Sequence, residues 1–479
     1  MGVRALVVGG GISGLAAALR LRDEGLEVTV LDAGTRWGGK LAPVRLGDLV
    51  LDGGVESMLA RRPEAVGLAD EVGLGDRRTT PTQASPRVLV GGTPRRLPPS
   101  LQGVPTDPAA LRPLLTPTGA AYAEGEPDRP APPLPGDVAI GAYVEERFGA
   151  EVTDRLLEPL LGGVYAGRSR SLSFEAVAPA LFEAARTGGS LAAHARASLR
   201  PGAGPVFAGL VGGVHGLADA LIGRLEERGV DLRLRTTVTA LRRERAGLIA
   251  TVATAAGEDG STELRADVVV LAAPAPAAAR LLAGVLPSAG PLDALGDVPY
   301  ASVAVLSLAV RGLAPTDSGL LVPPGELPTV KALTYSSTKW GWVGEAARSA
   351  YGDDVAVLRV SVGRAGEAGV LQVDDATLVR RSLAEVSTLP GWEDATLLDA
   401  TVTRWGGGLP QYGLDHLGLV GRLRTELEAV PGVAVAGAYL DGVGLPACVA
   451  SADAAVAKVL VDLGGRIDVR TSQEPAGER

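Results

Sequence analysis

A glycine-rich turn near the N-terminus constrains the fold more than any other feature of the sequence. Residues Gly9–Gly14 read Gly-Gly-Gly-Ile-Ser-Gly and fit the pattern G-x-G-x-x-G. The run Arg4–Val8 before the turn predicts a buried strand. The segment Ser13–Glu24 predicts a helix, and Glu27–Leu31 predicts a second strand. The chain therefore begins with a β-α-β unit of the size that binds dinucleotides.

The chemistry of this turn follows from its residue types. Gly9 permits the tight turn, Gly11 lets the backbone approach a pyrophosphate, and Gly14 lets the helix pack on the strand. Helix-terminal amides point at the anion, and Asp32 ends the second strand, where a carboxylate accepts hydrogen bonds from a ribose. The alternative is a plain β-α-β turn in a chain with 65 glycines. The combination predicts cofactor contacts at Gly9, Gly10, Gly11, Ile12, Ser13, Gly14 and Asp32.

A second motif favours FAD over NAD. The sequence Arg36-Trp37-Gly38-Gly39-Lys40 follows the ribose acid closely, and it combines backbone that can approach phosphate with a cation. An NAD domain does not need this element. Another backbone-rich turn, Leu51–Ser57, comes a few residues later. Each of these two motifs could instead be a surface turn, but their position directly after the first motif favours a role in cofactor binding.

The remaining patterns predict a multidomain α/β (α+β) chain. Helical patterns occur at Ala142–Phe148, Val152–Leu161, Phe174–Ala185 and, last, Pro446–Leu460. Strand patterns include Val238 and the runs Leu248–Thr254, Asp267–Ala272, Ser302–Val310, Val355–Val362, Thr396–Thr403 and Gly432–Ala436. The Pro-rich stretch Leu97–Gly136 is expected to be irregular, with Glu124–Arg129 its most exposed part.

These patterns suggest a division of the chain into three domains and a tail. A Rossmann-like FAD-binding domain is expected at 1–51, 217–290 and 405–465. A mixed-sheet substrate domain is expected at 52–96, 207–216 and 291–404. A helical insertion domain is expected at 97–206, and a frayed tail at 466–479.

Composition excludes several classes of function. The net charge of −9 argues against broad nucleic-acid binding. Cys448 is the single cysteine, so a disulfide within the chain is impossible and a cytoplasmic location fits. The three histidines lack metal-ligand spacing, so no metal is expected. The apolar segment Val268–Leu286 is broken by prolines and an arginine, so at most a peripheral contact with the inner face of a membrane is expected.

Several motifs resemble the flavin amine oxidase superfamily, and within it the oxygen-dependent coproporphyrinogen III and protoporphyrinogen oxidases of actinobacterial, Gram-positive type. The resemblance spans about residues 3–462. It is carried by Asp52–Arg62, Gly212–Leu221, Lys339-Trp340, Val362–Gly366, Arg404–Tyr412 and Gly437–Ser451.

This resemblance implies a non-covalent FAD and names its contacts. Beyond the first turn and Asp32 they are Ala33, Arg36, Gly39, Lys40, Gly54, Val55, Glu56 and Ser57. Val238 would contact adenine through its backbone. Trp405 and the turn Val443-Gly444-Leu445 would contact the isoalloxazine, with the positive end of the following helix directed at the ring. Cys448 does not lie where monoamine oxidases attach flavin and is expected to be a buried thiol.

The resemblance also implies a substrate. Coproporphyrinogen III would lose six electrons in three steps to give coproporphyrin III, and O2 would be reduced to H2O2. This reaction would belong to haem biosynthesis. Its propionates need cations, and the candidates are Arg61, Arg62, Lys339, Arg364 and Arg404; each could instead be a solvated surface charge. Tyr412 is expected to line the cavity or to pack in the core, and no certain catalytic base is identified.

Other functions stay open at this point. Protoporphyrinogen IX is an alternative substrate, as are amines or carotenoids. A non-catalytic porphyrin carrier is a further alternative, and the product of a catalytic protein could pass to a downstream chelatase.

Overall fold

The structure, a computed structural model, describes residues 2–199, 204–245, 247–254, 261–286 and 290–471. The β-strands are β1 Arg4–Val8, β2 Glu27–Leu31, β3 Pro43–Leu46, β4 Leu49–Asp52, β5 Met58–Leu59, β6 Arg78–Thr79, β7 Pro86–Val90, β8 Thr93–Arg96, β9 Ser100–Leu101, β10 Val104–Pro105, β11 Phe207–Leu210, β12 Asp231–Arg233, β13 Thr236–Glu244, β14 Gly247–Thr254, β15 Thr262–Ala266, β16 Val268–Leu271, β17 Tyr300–Arg311, β18 Gly319–Leu321, β19 Val330–Thr334, β20 Val355–Val362, β21 Thr396–Pro410 and β22 Val433–Val435.

The helices alternate with these strands and also form a group of their own. They are α1 Ile12–Asp23, α2 Pro63–Glu71, α3 Pro117–Glu124, α4 Ile140–Phe148, α5 Ala150–Val152, α6 Glu158–Tyr165, α7 Phe174–Val177, α8 Pro179–Ala185, α9 Leu191–Ser198, α10 Gly216–Glu227, α11 Ala275–Leu282, α12 Gly290–Gly296, α13 Ser336–Lys339, α14 Gly341–Tyr351, α15 Asp375–Val386, α16 His416–Glu428 and α17 Leu445–Thr471. A π-helical turn, Thr153–Leu157, joins α5 to α6. Short 3-10 helices span Gly75–Arg77, Pro108–Leu114, Glu126–Asp128, Ser169–Ser171 and Ala368–Leu371.

A five-stranded parallel sheet in the order β12-β2-β1-β16-β22 carries the N-terminal glycine turn. Strand β16 is buried along its whole length, as expected for a parallel strand covered on both faces. Apolar side chains of α1, α10 and α17 pack on one face. The antiparallel strands β13-β14-β15 and the helices α11 and α16 cover the other face. The prediction of an α/β chain that starts with a β-α-β unit is confirmed, and β1 and β2 have the predicted bounds.

A second, mixed sheet has seven strands in the order β21-β17-β20-β19-β18-β7-β8. All neighbouring pairs are antiparallel except β18 and β7. Helix α15 packs on one face, and α14 packs on the other. The expected strand Thr396–Thr403 is only the first half of β21, which continues to Pro410 beside β17 across two register irregularities. That extension brings Trp405 to the loop after β4, where its Nε1 donates to the Gly53 carbonyl oxygen.

The helical segment, which we define as the hairpin β9-β10 and helices α3 to α9, differs from expectation in two places. The stretch predicted to be irregular contains the hairpin β9-β10 and helix α3. The expectation that Glu124–Arg129 is the most exposed part is wrong, because Glu126 is fully buried. Its carboxylate pairs with Arg147 at 2.7 Å and accepts from the backbone N–H of Leu191, so it caps the start of α9.

Two helical predictions need new bounds. The pattern Phe174–Ala185 forms two helices because Pro179 follows Ala178, and a residue before proline avoids the helical region. Helix α17 continues to Thr471, so residues 466–471 are helical and not part of a frayed tail. Residues 472–479 lie outside the described residues. No helix in the described ranges is long and apolar enough to cross a membrane.

Candidate functional site

The glycine turn lies at the carboxyl end of β1, where open α/β sheets bind ligands. Gly9 has φ +113°, and a Cβ there would lie 2.6 Å from the carbonyl oxygen of Ala272. A Cβ on Gly14 would lie 1.8 Å from the carbonyl oxygen of Gly9. A Cβ on Gly11 would meet no atom within 4 Å. The protein's own packing therefore requires glycine at positions 9 and 14, whereas Gly11 leaves open space beside the turn.

The start of α1 suits an anion. Gly11 is its N-cap, no side chain caps the helix, and no acidic residue lies in the first turn. The first amides of a helix lack partners within the helix, so they can donate to a phosphate. Asp32 accepts hydrogen bonds from the N–H groups of Gly10 at 2.6 Å and Gly34 at 2.7 Å, and it remains only half-buried. Ala33 follows it in an exposed position.

The second glycine turn packs directly on the first. Gly38 N–H donates to the carbonyl oxygen of Gly10 at 2.8 Å. A Cβ on Gly38 would lie 2.7 Å from the Leu41 carbonyl oxygen, and a Cβ on Gly39 would lie 3.2 Å from Gly11 Cα, which favours glycine at positions 38 and 39. Arg36 donates to the carbonyl oxygens of Trp37 and Gly39, so it stabilises its own turn.

Lys40 is the cation of this second turn. Its side chain has no hydrogen bond or ion pair with any residue in the described ranges, and it is half-buried. Burial lowers the pKa of Lys40, and the nearby Cys448 opposes that effect. A half-buried ammonium without a partner beside two glycine turns suits a pyrophosphate.

A third segment, Gly53–Ser57, joins the same surface. Val55 N–H donates to the carbonyl oxygen of Lys40 at 3.2 Å. Trp405 Nε1 donates to the carbonyl oxygen of Gly53 at 3.0 Å, and the Arg36 guanidinium lies 5.6 Å from the centre of the Trp405 ring. Residues 352 positions apart in sequence therefore share one surface.

Glu56 anchors this third segment to the seven-stranded sheet. Its carboxylate pairs with Lys339 and with Arg359, the latter at 2.8 Å. Burial alone would raise the pKa of Glu56, but the two cations together lower it to about 2. Arg359 also donates to the carbonyl oxygen of Gly54 at 2.6 Å. The resemblance places Glu56 and Ser57 against FAD, yet the Glu56 carboxylate faces these two cations.

The start of α17 completes the surface from the far end of the chain. Gly444 is exposed, Leu445 is buried, and Cys448 N–H donates to the Gly444 carbonyl oxygen at 3.0 Å. Ser13 Oγ donates to the Cys448 carbonyl oxygen at 3.0 Å, which ties the start of α1 to the start of α17. Burial raises the pKa of the Cys448 thiol, as expected for an unreactive cysteine.

The predicted adenine contact lies further along the same edge. Thr236 N–H donates to the Asp32 carbonyl oxygen at 2.9 Å, and Val238 follows two residues later in β13. Val443 packs against the helical segment. The structure thus brings together the two glycine turns, Asp32, the third segment, Trp405 and the start of α17. These residues suit a flavin dinucleotide, which would lie along the uncapped start of α1.

The predicted propionate cations are more scattered. Arg61 is exposed and, among the residues that the structure describes, donates only to the Gly204 carbonyl oxygen, at 3.4 Å. Arg62 is exposed and pairs with Glu64. Lys339 pairs with Glu56. Each of these three cations therefore already has a protein partner.

Arg404 and Arg364 differ from each other. The Arg404 guanidinium donates to Asp375 and to the carbonyl oxygens of Leu371 and Val373, all at 2.7 Å, so it anchors the start of α15. These contacts weigh against substrate binding by Arg404. Arg364 is buried and donates to the Val322 carbonyl oxygen at 2.8 Å, with Glu367 at 3.7 Å.

Tyr412 lies in the core. It is fully buried, its hydroxyl donates to the Ala438 carbonyl oxygen, and its ring stacks on His416 at 4.0 Å. The core-packing alternative therefore describes Tyr412, and the expectation that it lines a cavity is wrong. In the described ranges, no group of three or more His, Cys, Asp or Glu side chains is placed to hold a metal ion.

Sequence reasoning missed two residues that support this surface. Arg359 holds both Gly54 and Glu56, but its position in a strand carries no local signal. Asp52 accepts hydrogen bonds from Val214 N–H and His215 N–H at 2.9 and 2.8 Å and from the His215 ring, so it caps the start of α10. An acid at the end of a strand beside Gly53-Gly54 is a signal that could have identified Asp52.

A parallel sheet with two glycine turns, a ribose acid and the uncapped start of α1 defines a dinucleotide-binding oxidoreductase. The model of the family described as flavin containing amine oxidoreductase matches residues 12–460. The chain belongs to this family, and its cofactor is a flavin.

Similar proteins cover nearly the whole chain. The coproporphyrinogen III oxidase of Mycobacterium tuberculosis is 36% identical over 470 residues, which are 96% of this chain and 98% of that protein. The coproporphyrinogen III oxidase of Bacillus subtilis is 28% identical over 478 residues, with 96% and 98% covered. A crystal structure from Exiguobacterium, of a candidate protoporphyrinogen oxidase, has a TM-score of 0.81 at 29% identity and covers 96% of this chain and 99% of its own.

Proposed function

We propose that this protein binds FAD non-covalently and oxidises coproporphyrinogen III to coproporphyrin III in haem biosynthesis. The observation that carries the proposal is the 36% identity with a coproporphyrinogen III oxidase over nearly the full length of both chains. The two glycine turns, Lys40 and the uncapped start of α1 support the dinucleotide. The single cysteine, Cys448, lies in the first turn of α17 and is buried in the cluster it shares with α1, which supports non-covalent binding.

The proposed reaction balances with three molecules of O2. Coproporphyrinogen III loses six electrons and six protons, and three O2 become three H2O2. Bound flavin supplies a two-electron acceptor that O2 reoxidises. The protein binds and orients the reactants. Trp405 and Gly444 would lie beside the flavin ring, and the start of α17 would direct its partial positive charge towards it.

Turnover by the purified, FAD-loaded protein tests this proposal. Coproporphyrinogen III supplied under air should give porphyrin fluorescence and three equivalents of H2O2. A flavin-loaded protein that produces no porphyrin under air would refute the proposal. A flavin that no porphyrinogen can reduce would instead favour a non-catalytic porphyrin carrier.

Protoporphyrinogen IX is the second candidate substrate, and the similarity to the Exiguobacterium protein favours it. The two porphyrinogens should be compared in one assay, with an amine included as a third substrate. A higher kcat/KM for coproporphyrinogen III supports the first proposal, whereas a higher value for protoporphyrinogen IX or the amine replaces it.

The proposed location is the cytoplasm, with at most peripheral contact with the inner face of the membrane. Coproporphyrin III is the product that a downstream chelatase would receive. Flotation with liposomes distinguishes the two locations: clear flotation of the substrate-free protein would contradict a freely soluble cytoplasmic protein and indicate peripheral contact.

A further inference from the structure

A group of charged side chains, three of them buried and two partly exposed, lies where the helical segment meets the seven-stranded sheet. We define the Lys331 cluster as Lys331, Arg364, Glu367, Arg168 and Glu158. Arg168 pairs with Glu367 and lies 3.5 Å from Glu158, which belongs to α6. Arg364 lies 3.7 Å from Glu367. The cluster therefore holds three cations and two carboxylates, which leaves one positive charge without a counterion.

Lys331 is the cation that lacks a partner. The residue is 7% exposed, and its side chain has no hydrogen bond or ion pair with any residue in the described ranges. Burial first, and then the charge of Arg364, lower the pKa of Lys331 to about 7, while Glu367 acts in the opposite direction. A buried ammonium without a partner is costly, so such a residue is a candidate for ligand binding.

The cluster is next to the predicted flavin surface. Ala365 follows Arg364 directly, and its N–H donates to the Ala166 carbonyl oxygen at 2.7 Å. Ala365 and Ala166 pack in one small apolar group with Trp405 and Val303. A planar tetrapyrrole beside Trp405 would extend its substituents past this apolar group, towards the cluster.

We propose that Lys331 and Arg364 together bind one carboxylate of the substrate. The proposal rests on the proposed function, in which the substrate carries propionates. Lys331 supplies the point charge, and Arg364 presents a planar guanidinium whose Nη2 donates to the Val322 carbonyl oxygen at 2.8 Å. The carboxylate would bring the cluster to three cations and three anions. Glu367 then positions Arg364 and Arg168 and does not contact the substrate.

The variant Lys331→Met tests this site, with Lys331→Arg as the conservative variant and Lys331→Gln as a second replacement. Lys458 is a matched control, because it is a partly buried lysine that already pairs with Asp462 in α17. Two readouts are needed: KM and kcat for coproporphyrinogen III, and the Kd of coproporphyrin III by Soret absorbance. The Kd does not depend on turnover, so the carboxylate site is tested even if the proposed reaction fails.

The expected result for Lys331→Met is a rise in KM and in Kd of about tenfold to a hundredfold, with kcat changed less than about threefold. Lys331→Arg should recover most of the affinity, and Lys458→Met should equal the wild type. The Tm of Lys331→Met should stay equal or rise, because an unpaired buried charge is removed. An unchanged Kd of Lys331→Met for coproporphyrin III overturns the proposal, whether or not the Tm falls. If Lys331→Met does not fold, the same criteria apply to Lys331→Gln.

Affinity should also depend on pH. The ammonium must be protonated to bind a carboxylate, and its pKa in the free protein is about 7. The wild-type Kd of coproporphyrin III should therefore rise as the pH increases from 7 to 9, whereas the Kd of Lys331→Met should stay flat. Parallel pH profiles for the two proteins would also overturn the proposal.

Discussion

Replacing Glu56 with glutamine removes the anion from a buried ion triad while it keeps the shape of the side chain. Glu56 joins the third segment of the predicted cofactor surface to Lys339 and Arg359. The side chain of Glu56 is only 16% exposed, and those of its partners are 19% and 11% exposed. Glutamine would leave two nearly buried cations without a counterion, which is the costly way to break a buried pair.

The size of the effect follows from the pKa. The two cations lower the pKa of Glu56 from 4.5 to about 2. At about 1.4 kcal/mol for each tenfold change in acidity, this corresponds to about 3 kcal/mol of stabilisation at pH 7. Because the pKa is lowered on folding, the stabilisation is complete above about pH 4.5 and is lost as the pH falls through about 2.

Urea unfolding followed by circular dichroism measures the difference between wild type and Glu56→Gln, with the same excess of FAD in every sample. We expect about 3 kcal/mol at pH 7 and roughly 1 kcal/mol at pH 3. Glu64→Gln is the matched control, since Glu64 pairs with the half-exposed Arg62 and should change stability by less than about 1 kcal/mol. A difference below about 1 kcal/mol at pH 7, or one that does not shrink between pH 7 and pH 3, would refute the reasoning.

Two further changes separate cofactor binding from folding. Gly11→Val should leave the Tm of the apoprotein unchanged but reduce FAD affinity at least about tenfold, because an added Cβ meets no protein atom within 4 Å and enters the space beside the turn. Gly14→Ala should instead lower the free energy of unfolding by more than about 2 kcal/mol, because its Cβ would lie 1.8 Å from the Gly9 carbonyl oxygen. Equal effects of the two on Tm would contradict this assignment. Lys40→Met should weaken FAD binding about tenfold without loss of stability, since its ammonium has no partner in the described part of the chain. Flavin fluorescence titration measures the FAD affinity of Gly11→Val and of Lys40→Met. An unchanged Kd of Lys40→Met for FAD would exclude Lys40 from the cofactor site.

The sequence alone determined the N-terminal β-α-β unit because its signals are local. Apolar runs fixed the bounds of β1, β2 and β20, and glycine spacing identified the turn between β1 and α1. The physical reason is that strand burial and a backbone turn depend on residues within a few positions. The same reasoning located the start of α17 within one residue.

Charged partners could not be determined in this way. Lys339 and Arg404 were expected to bind propionates, yet Lys339 pairs with Glu56, 283 positions away, and Arg404 anchors the start of α15. Glu126 was expected on the surface because its neighbours are polar, and Tyr412 was expected beside a cavity. The burial and the ion pairs of these residues arise from contacts between distant segments, which no local pattern encodes.

The two glycine turns, the ribose acid and the cation Lys40 therefore indicate a flavin protein through the sequence by itself. Only the tertiary structure revealed that Lys331, beside Arg364, has no counterion among the described residues. Lys331 lies in β19, Arg364 follows β20, and Glu158 belongs to α6. Desolvation and charge balance are properties of the packed interior. The sequence thus determined the cofactor turn, and the folded arrangement decided which cation is left for a ligand.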